Sequence, residues 1–185
     1  SDSLRSPISF FLATENKNTG IGFSGIPSGH EFTSLILAIL QAGGGDLKLD
    51  QTTVESITKI SEPLKFEIFV SLDCHNCPDV VQSVNKLSLL NPNISSEMID
   101  GGLFQELVKQ KDIQGVPVVF LNGEFFSSGR VNMAKILSNL SPFMTSVSKT
   151  ENTAQVIDIA VIGGGPAGIS ASIYAARKGF DVVMI

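Results

Sequence analysis

Tryptophan is missing from this chain of 185 residues, tyrosine occurs once and cysteine only twice. Two cysteines cannot staple a disulfide-dense secreted scaffold, so the fold has to rest on an apolar core. Apolar residues make up 43% of the chain, ample for one ordinary domain or two small ones. Basic residues are scarce: 13 Lys and Arg stand against 18 Asp and Glu, a net charge of −5, and no cluster of Lys and Arg occurs. Nucleic acid is therefore not an expected partner. Long apolar runs are lacking too. The longest helical candidate, Phe32 to Ala42, is too short to span a bilayer, so no membrane partner is expected. No targeting signal is visible. The chain opens at Ser1 without a methionine and stops at Ile185 inside an expected strand, and it reads as cut from a longer protein.

What the chain does have is its two cysteines three positions apart, in Asp73-Cys74-His75-Asn76-Cys77-Pro78. Before them, Lys65-Phe66-Glu67-Ile68-Phe69-Val70 alternates polar and apolar as a strand does. After them, Val80, Val81, Val84, Leu87 and Leu90 recur at helical spacing. The pair thus sits where a strand gives way to a helix. The first turn of a helix has unpaired N–H groups and a positive dipole end, and both favour a thiolate. A cysteine pair so placed reads as a redox dithiol. Two other readings stay open. Zinc would want about four ligands, and only His30 and His75 could add to the two sulfurs. A buried structural disulfide is the other, against which the helix-start position argues.

Along the chain, Pro7 to Leu12 reads as a strand and Gly20 to Gly25 as a second, short one. A helix is expected from Ser28, where Ser28 and Glu31 have the spacing of a capping box. Its apolar face is Phe32, Leu35, Ile36, Ala38, Ile39 and Leu40, and Gly43-Gly44-Gly45 ends it. Asp50 is the N-cap candidate of a helix through Val54, Ile57 and Ile60. From Leu64 the pattern changes: strand Lys65–Ser71, the cysteine pair and its helix, strand Ile94–Ile99, a short helix Gly102–Lys111, then Val116 to Leu121. Asn122-Gly123 between two apolar runs predicts a hairpin into Glu124-Phe125-Phe126. A last helix follows Gly129 through Val131, Ala134, Ile136, Leu137 and Leu140. Phe10, Phe11, Phe66, Phe69, Phe120, Phe125 and Phe126 are expected in the core. The order β-α-β-α-β-β-α resembles the thioredoxin fold, with Gly115-Val116-Pro117 at the place where that family carries a cis proline packed beside the cysteines.

Pro7 to Leu40 also answers Pro117 to Leu140. Both run proline, apolar strand, polar turn, short strand, a Ser-Gly pair or close to it, and an amphipathic helix. The first stretch therefore reads as the closing half of another thioredoxin-like fold whose opening half is not present. Coincidence is the competing reading, since β-β-α is a common order.

After Pro142 a polar linker, Thr145 to Gln155, leads to the strand Val156 to Ile162. Gly163, Gly165 and Gly168 then fit the G-x-G-x-x-G dinucleotide fingerprint, followed by a helix through Ile173 and Ala176. The three glycines serve a tight turn, close approach of backbone to pyrophosphate, and close helix–strand packing. The helix N-terminus faces the phosphates. The acidic ribose partner expected about twenty residues further on is not identifiable before Ile185, and a piece this short is not expected to hold a dinucleotide by itself.

The combination resembles the N-terminal region of the flavoproteins of alkyl hydroperoxide reductase, the F component of that system. The resemblance rests on Gly29-His30-Glu31-Phe32-Thr33-Ser34-Leu35, Cys74 to Val81, Ile99-Asp100-Gly101-Gly102 and Gly115-Val116-Pro117. It implies an α/β chain divided into 1–62, the closing half of a first thioredoxin-like fold with a connecting helix; 63–144, a complete thioredoxin-like domain with the redox pair; 145–155, a linker; and 156–185, the start of a Rossmann-type FAD-binding domain. It also implies an electron path: NADH reduces FAD, FAD reduces a Cys-x-x-Cys in the flavoprotein body of the same chain, and that pair reduces Cys74–Cys77. The latter then reduces the disulfide of a partner peroxiredoxin, the C component of the system. A cytoplasmic, homodimeric flavoenzyme responding to reactive oxygen species is implied, with FAD held through Gly163, Gly165, Pro166, Ala167 and Gly168 only in the longer protein. The contrasting functions are a free-standing glutaredoxin- or disulfide-isomerase-like oxidoreductase, which would lack the FAD fingerprint, and a docking module without redox turnover.

Fold position and resemblance together assign roles. Cys74 is the nucleophile on the partner disulfide and Cys77 the resolving thiol. His75 and Asn76 fill the spacer that tunes the pair. Pro117 leaves the preceding backbone free for an extended partner segment. Asp73 departs from the small hydroxyl residue expected before the first cysteine, and a carboxylate there opposes thiolate formation. Glu31 has two readings: an acid–base group reaching the pair from the other fold, as the resemblance implies, or simply the capping partner of Ser28.

Overall fold

The structure is a computed structural model, described here for residues 5, 8–15, 17–143, 158–163 and 165–184. Pro7, the whole of the expected linker 145–155, Val156, Ile157, Gly164 and Ile185 lie outside the described residues. The chain divides into two compact units, Ser1–Thr145 and Ser146–Ile185.

In the first unit, β1 (Ser9–Thr14) and β2 (Lys17–Ser24) form an antiparallel hairpin. A 3-10 turn, Gly29–Glu31, leads into α1 (Phe32–Ala42), and α2 (Gln51–Thr58) follows. The thioredoxin-like order then runs β3 (Leu64–Val70), α3 (Cys77–Leu90), β4 (Ile94–Asp100), α4 (Gln105–Gln110), β5 (Val118–Leu121), β6 (Glu124–Ser128) and α5 (Met133–Leu140). The strands make one six-stranded sheet in the order β1-β2-β4-β3-β5-β6. β2 and β3 flank β4 in parallel, and β5 runs antiparallel to β3. Residues 1–62 are therefore not an appendage: their hairpin extends the sheet of the thioredoxin-like domain.

Alternation along the strands sends side chains to two different layers. Ile21, Phe23, Phe66, Ile68, Val70, Met98 and Val119 face the larger core, with Ala38 of α1, Val80, Val81, Val84 and Leu87 of α3, and Ile136 and Leu140 of α5. Phe69, Ile99, Val118 and Phe120 face the other side with Phe104, Leu107 and Val108 around α4. Inside the larger core the buried Asn91 side chain donates to Ile57 O at 2.7 Å and Ile60 O at 2.8 Å, tying the end of α2 to the α3–β4 corner. On the smaller layer, Arg5 joins Glu67 and Glu97, which lie opposite each other across β3 and β4, and Lys111 completes the group 3.2 Å from Glu67.

Local signals explain most boundaries. The Asp50 carboxylate accepts from the Thr53 N–H at 2.9 Å and caps α2 as expected. Asn122 and Gly123 both have positive φ, 51° and 88°, as a tight primed hairpin turn requires. Three helices start later than the spacing predicts: α1 at Phe32, α4 at Gln105 and α5 at Met133. For α5 the cap is Asn132, whose side chain accepts from Lys135 N–H at 2.9 Å. Two of the seven phenylalanines expected in the core are instead exposed, Phe11 at 40% and Phe125 at 64%. Both sit on the sheet's outermost strands, β1 and β6, where alternation leaves every second side chain without a covering layer.

The second unit holds β7 (Ile159–Val161), α6 (Pro166–Arg177) and β8 (Val182–Met184), with β7 and β8 parallel. This is the first β-α-β of a Rossmann-type arrangement, with Gly165 at the N-cap of α6 and Pro166 in its first turn. Among the described residues, no helix is long and apolar enough to cross a membrane.

Candidate active site

Cys74 and Cys77 are joined as a disulfide, their Cα atoms 5.5 Å apart. Cys77 is the first residue of α3 and is fully buried, facing the core with Val80, Val81 and Val84. Cys74 lies one turn earlier, half-buried, with its N–H bonded to Ser71 O at 3.0 Å. Its position is fixed by the end of β3: a strand that buries alternate large residues must leave the core at Val70, and the chain turns through Leu72 and Asp73 before α3 begins. Pro78, in the first turn of α3, needs no N–H partner there. The sulfur that can be reached from solvent therefore precedes the helix, and the one shielded from it opens the helix.

Pro117 is cis, and the carbonyl oxygen of Val116 lies 4.0 Å from the Cys74 sulfur. The loop entering β5 thus stands against the cysteine pair, as expected from the position of Gly115-Val116-Pro117. Asp73 is exposed.

Glu31 reaches this neighbourhood from the other β-β-α unit. The turn that carries it packs against α3 and against the loop before Cys74, where His30 N–H donates to Leu72 O at 3.0 Å. The capping box does not form. Ser28 makes no side-chain cap bond, and the Glu31 carboxyl group is fully buried with neither oxygen bonded to a partner among the described residues. The reason is the 3-10 turn: it places Glu31 at the N-cap of α1, facing inward, instead of at the third residue of a helix begun by Ser28. Burial pushes the carboxyl pKa up to about 7. A carboxyl group in that range can give and take protons near neutral pH.

From sequence, His30 reads only as a possible metal ligand. In the structure its ring lies on that of His75, centroids 4.0 Å apart and tilted by 52°. Gly29, directly before it, is the available signal, since a glycine in front of a turn often marks close backbone approach. Among the described residues, no group of three or more His, Cys, Asp or Glu is placed to hold a metal ion.

In the second unit, Gly163 has φ of +103°, and a Cβ on Gly168 would lie 2.0 Å from Gly163 O. Only glycine lets α6 approach the turn after β7 this closely. Among the described residues, a Cβ on Gly163 or Gly165 would meet nothing within 4 Å. The turn therefore leaves open space before the α6 N-terminus, which fits the demands of a pyrophosphate.

The Thioredoxin domain family matches residues 64–141. A Bacillus subtilis protein named NADH dehydrogenase is 49% identical over 171 residues, covering 92% of this chain and 33% of that protein. The F subunit of the Pseudomonas aeruginosa alkyl hydroperoxide reductase is 47% identical over 172 residues, again covering 92% of this chain and 33% of the relative. The solved structure of the Enterococcus faecalis counterpart, AhpF, a point mutant, superposes with a TM-score of 0.67 at 42% identity, over 71% of this chain and 64% of that one. The chain spans about a third of the length of the curated relatives it matches. By sequence and by fold alike, this is an AhpF-like thioredoxin and FAD-domain chain, similar to the F subunits of the alkyl hydroperoxide reductases.

Proposed function

We propose that the chain is the dithiol–disulfide electron-transfer module of an NADH- and FAD-dependent peroxiredoxin reductase. The observation that carries this is the Cys74–Cys77 disulfide, with Cys74 half-buried against the cis-proline loop and Cys77 shut in the core. In the forward direction the reduced pair delivers two electrons. The Cys74 thiolate attacks one sulfur of the partner disulfide, forming a mixed disulfide and releasing the other partner sulfur as a thiolate. Cys77 loses its proton and attacks Cys74; the Cys74–Cys77 bond re-forms and the second partner sulfur leaves. Both partner thiolates end protonated.

Glu31 is the proton carrier in this reading. Its inward carboxyl group, with a pKa pushed up to about 7, is suited to accept the Cys77 proton and pass it on. Pro117 has no N–H, so Val116 and its neighbours can receive an extended partner segment through their own backbone groups.

The domains follow the same reading: 1–62 closes a first thioredoxin-like fold, 63–144 is the redox domain, 145–155 a linker and 156–185 the start of the FAD domain. Gly163, Gly165, Pro166, Ala167 and Gly168 would hold the FAD pyrophosphate in the longer protein. The flavin, when bound, supplies the hydride chemistry that takes electrons from NADH. The partners are then the flavoprotein body of the same chain and the peroxiredoxin component of an alkyl hydroperoxide reductase, in a cytoplasmic homodimer that answers reactive oxygen species.

The test is direct. The chain is reduced with a dithiol, freed of reductant and mixed with an oxidised peroxiredoxin, and thiols are titrated on both proteins. Two thiols should appear on the peroxiredoxin for each Cys74–Cys77 pair oxidised, and none with Cys74→Ser. Unchanged transfer by Cys74→Ser would overturn the reading. Equal rates on unrelated disulfides would favour a general disulfide oxidoreductase instead.

A further inference from the structure

The turn Gly29–Glu31 lies outside the thioredoxin domain matched at 64–141, yet it meets the redox loop at two points, Leu72 and His75. Gly29 has φ of +54°, and a Cβ there would come within 2.6 Å of Leu72 O. His30 N–H bonds that same oxygen at 3.0 Å. The His30 ring rests on His75, centroids 4.0 Å apart. Leu72 is two residues before Cys74 and His75 directly after it. The turn therefore grips the chain on both sides of the accessible sulfur. His75 is exposed, and this ring contact restricts where the spacer imidazole can go.

We propose that His30 is a positioning residue for the cysteine pair: by its ring contact it fixes His75 in the spacer, and through His75 it sets how readily the Cys74–Cys77 bond exchanges. This rests on the reading of the pair as a redox dithiol. An unheld spacer side chain samples several rotamers and presents its polar edge to Cys74 only part of the time. One held by a neighbouring ring presents a fixed face, so its effect on the nearby sulfur is constant. The first β-β-α unit would thus shape the chemistry of the second fold without touching a sulfur atom.

The experiment is a double-mutant cycle on the whole chain, equilibrated without oxygen in mixtures of reduced and oxidised glutathione at pH 7. Two glutathione thiols reduce the pair. The first thiolate attacks Cys74, the S–S bond breaks and Cys77 leaves and takes up a proton. The second attacks the bound glutathione sulfur, releasing oxidised glutathione and the Cys74 thiol. His30→Ala should shift the exchange equilibrium about fivefold, and His30→Phe, which keeps a ring against His75, should stay within about twofold of the parent. His30→Ala combined with His75→Ala should match His75→Ala alone, because the first residue acts through the second. Thermal melts check that each variant is folded; if His30→Ala is not, His30→Asn, which also lacks a ring, takes its place. Shifts that multiply independently in the double variant, or an unchanged equilibrium in the folded ring-less variant, would overturn the role of His30 alone. A parent pair that neither glutathione nor an excess of a strong dithiol reduces would overturn the proposed function with it.

Discussion

The hairpin–helix unit of β1, β2 and α1 and that of β5, β6 and α5 are built alike but buried differently. Each closes with a glycine of positive φ, Gly25 at 119° and Gly129 at 73°, whose N–H returns to the start of its own hairpin, to Ile8 O at 2.9 Å and Pro117 O at 2.8 Å. Each sends its helix to pack on α3. There the likeness ends. α5 buries Ile136 and Leu140, whereas α1 leaves Phe32, Ile36, Leu37, Ile39 and Leu40 exposed. The second unit gives the redox pair its cis proline; the first gives it a buried carboxyl group and a histidine. One repeated frame thus supplies backbone shape from one side of α3 and a buried carboxyl group with a histidine from the other.

The largest contrast to test is between what lies at the pair and what surrounds it. Cys74→Ser should lower disulfide reduction by about a hundredfold or more, since the remaining cysteine, Cys77, is fully buried and cannot reach a partner disulfide for the first attack. Stopped-flow with an oxidised peroxiredoxin reads it.

The equivalent leucines of the two helices come next. Leu140 is 0% exposed and Leu40 59%. Leu140→Ala should cost about 2–5 kcal/mol by loss of buried surface and a residual cavity. Leu40→Ala should stay within about 0.5 kcal/mol. Equal losses in urea unfolding would mean that α1 is covered as α5 is.

The carboxyl group of the first unit has no counterpart in the second, and pH exposes it. Its folded pKa, about 7, lies above the unfolded value near 4.5, so the folded state holds the proton more tightly. The stabilisation is complete below pH 4.5 and is lost as pH rises towards 7. The loss amounts to about 3 kcal/mol as an order of magnitude. Unfolding free energies at pH 5 and pH 8 should differ by that much more in the parent than in Glu31→Gln. A parent as flat with pH as the variant would remove Glu31 from the proton path as well.

The smallest contrast is between the closing glycines. Gly129→Ala meets open space and should cost about 1 kcal/mol for its backbone angle alone. Gly25→Ala should cost about 2–3 kcal/mol, because its new Cβ would also fall 2.7 Å from the Cβ of Asp100. Thermal shifts of the two variants rank them.

These contrasts also show what the sequence can tell. Strand alternation, the Asn122-Gly123 turn, the Asp50 cap and the glycine fingerprint are local devices, and local devices leave marks within a few residues. The likeness of the two β-β-α units is legible for the same reason. Glu31 reads as a cap because Ser28 and Glu31 have the right spacing; only the intervening 3-10 turn, held by Gly29 against Leu72, turns the carboxyl group inward. Phe11 and Phe125 read as core because a strand's pattern does not say that it will be outermost. The contact of His30 with His75 joins residues 45 positions apart by number, and nothing in either neighbourhood announces it.

The parallel ladder between β2 and β4, from Ile21 opposite Ser96 to Ser24 opposite Ile99, has a mechanical corollary. A chain cut at residue 62 would tear a neighbour from β4 and bare its backbone groups, so the boundary in the sequence is no joint in space. The β1–β2 hairpin cannot swing on a hinge towards or away from the sulfurs; it is riveted to the same plate. Heat or denaturant should then melt both parts in one step, and amides of β2 should exchange with solvent no faster than those of β4.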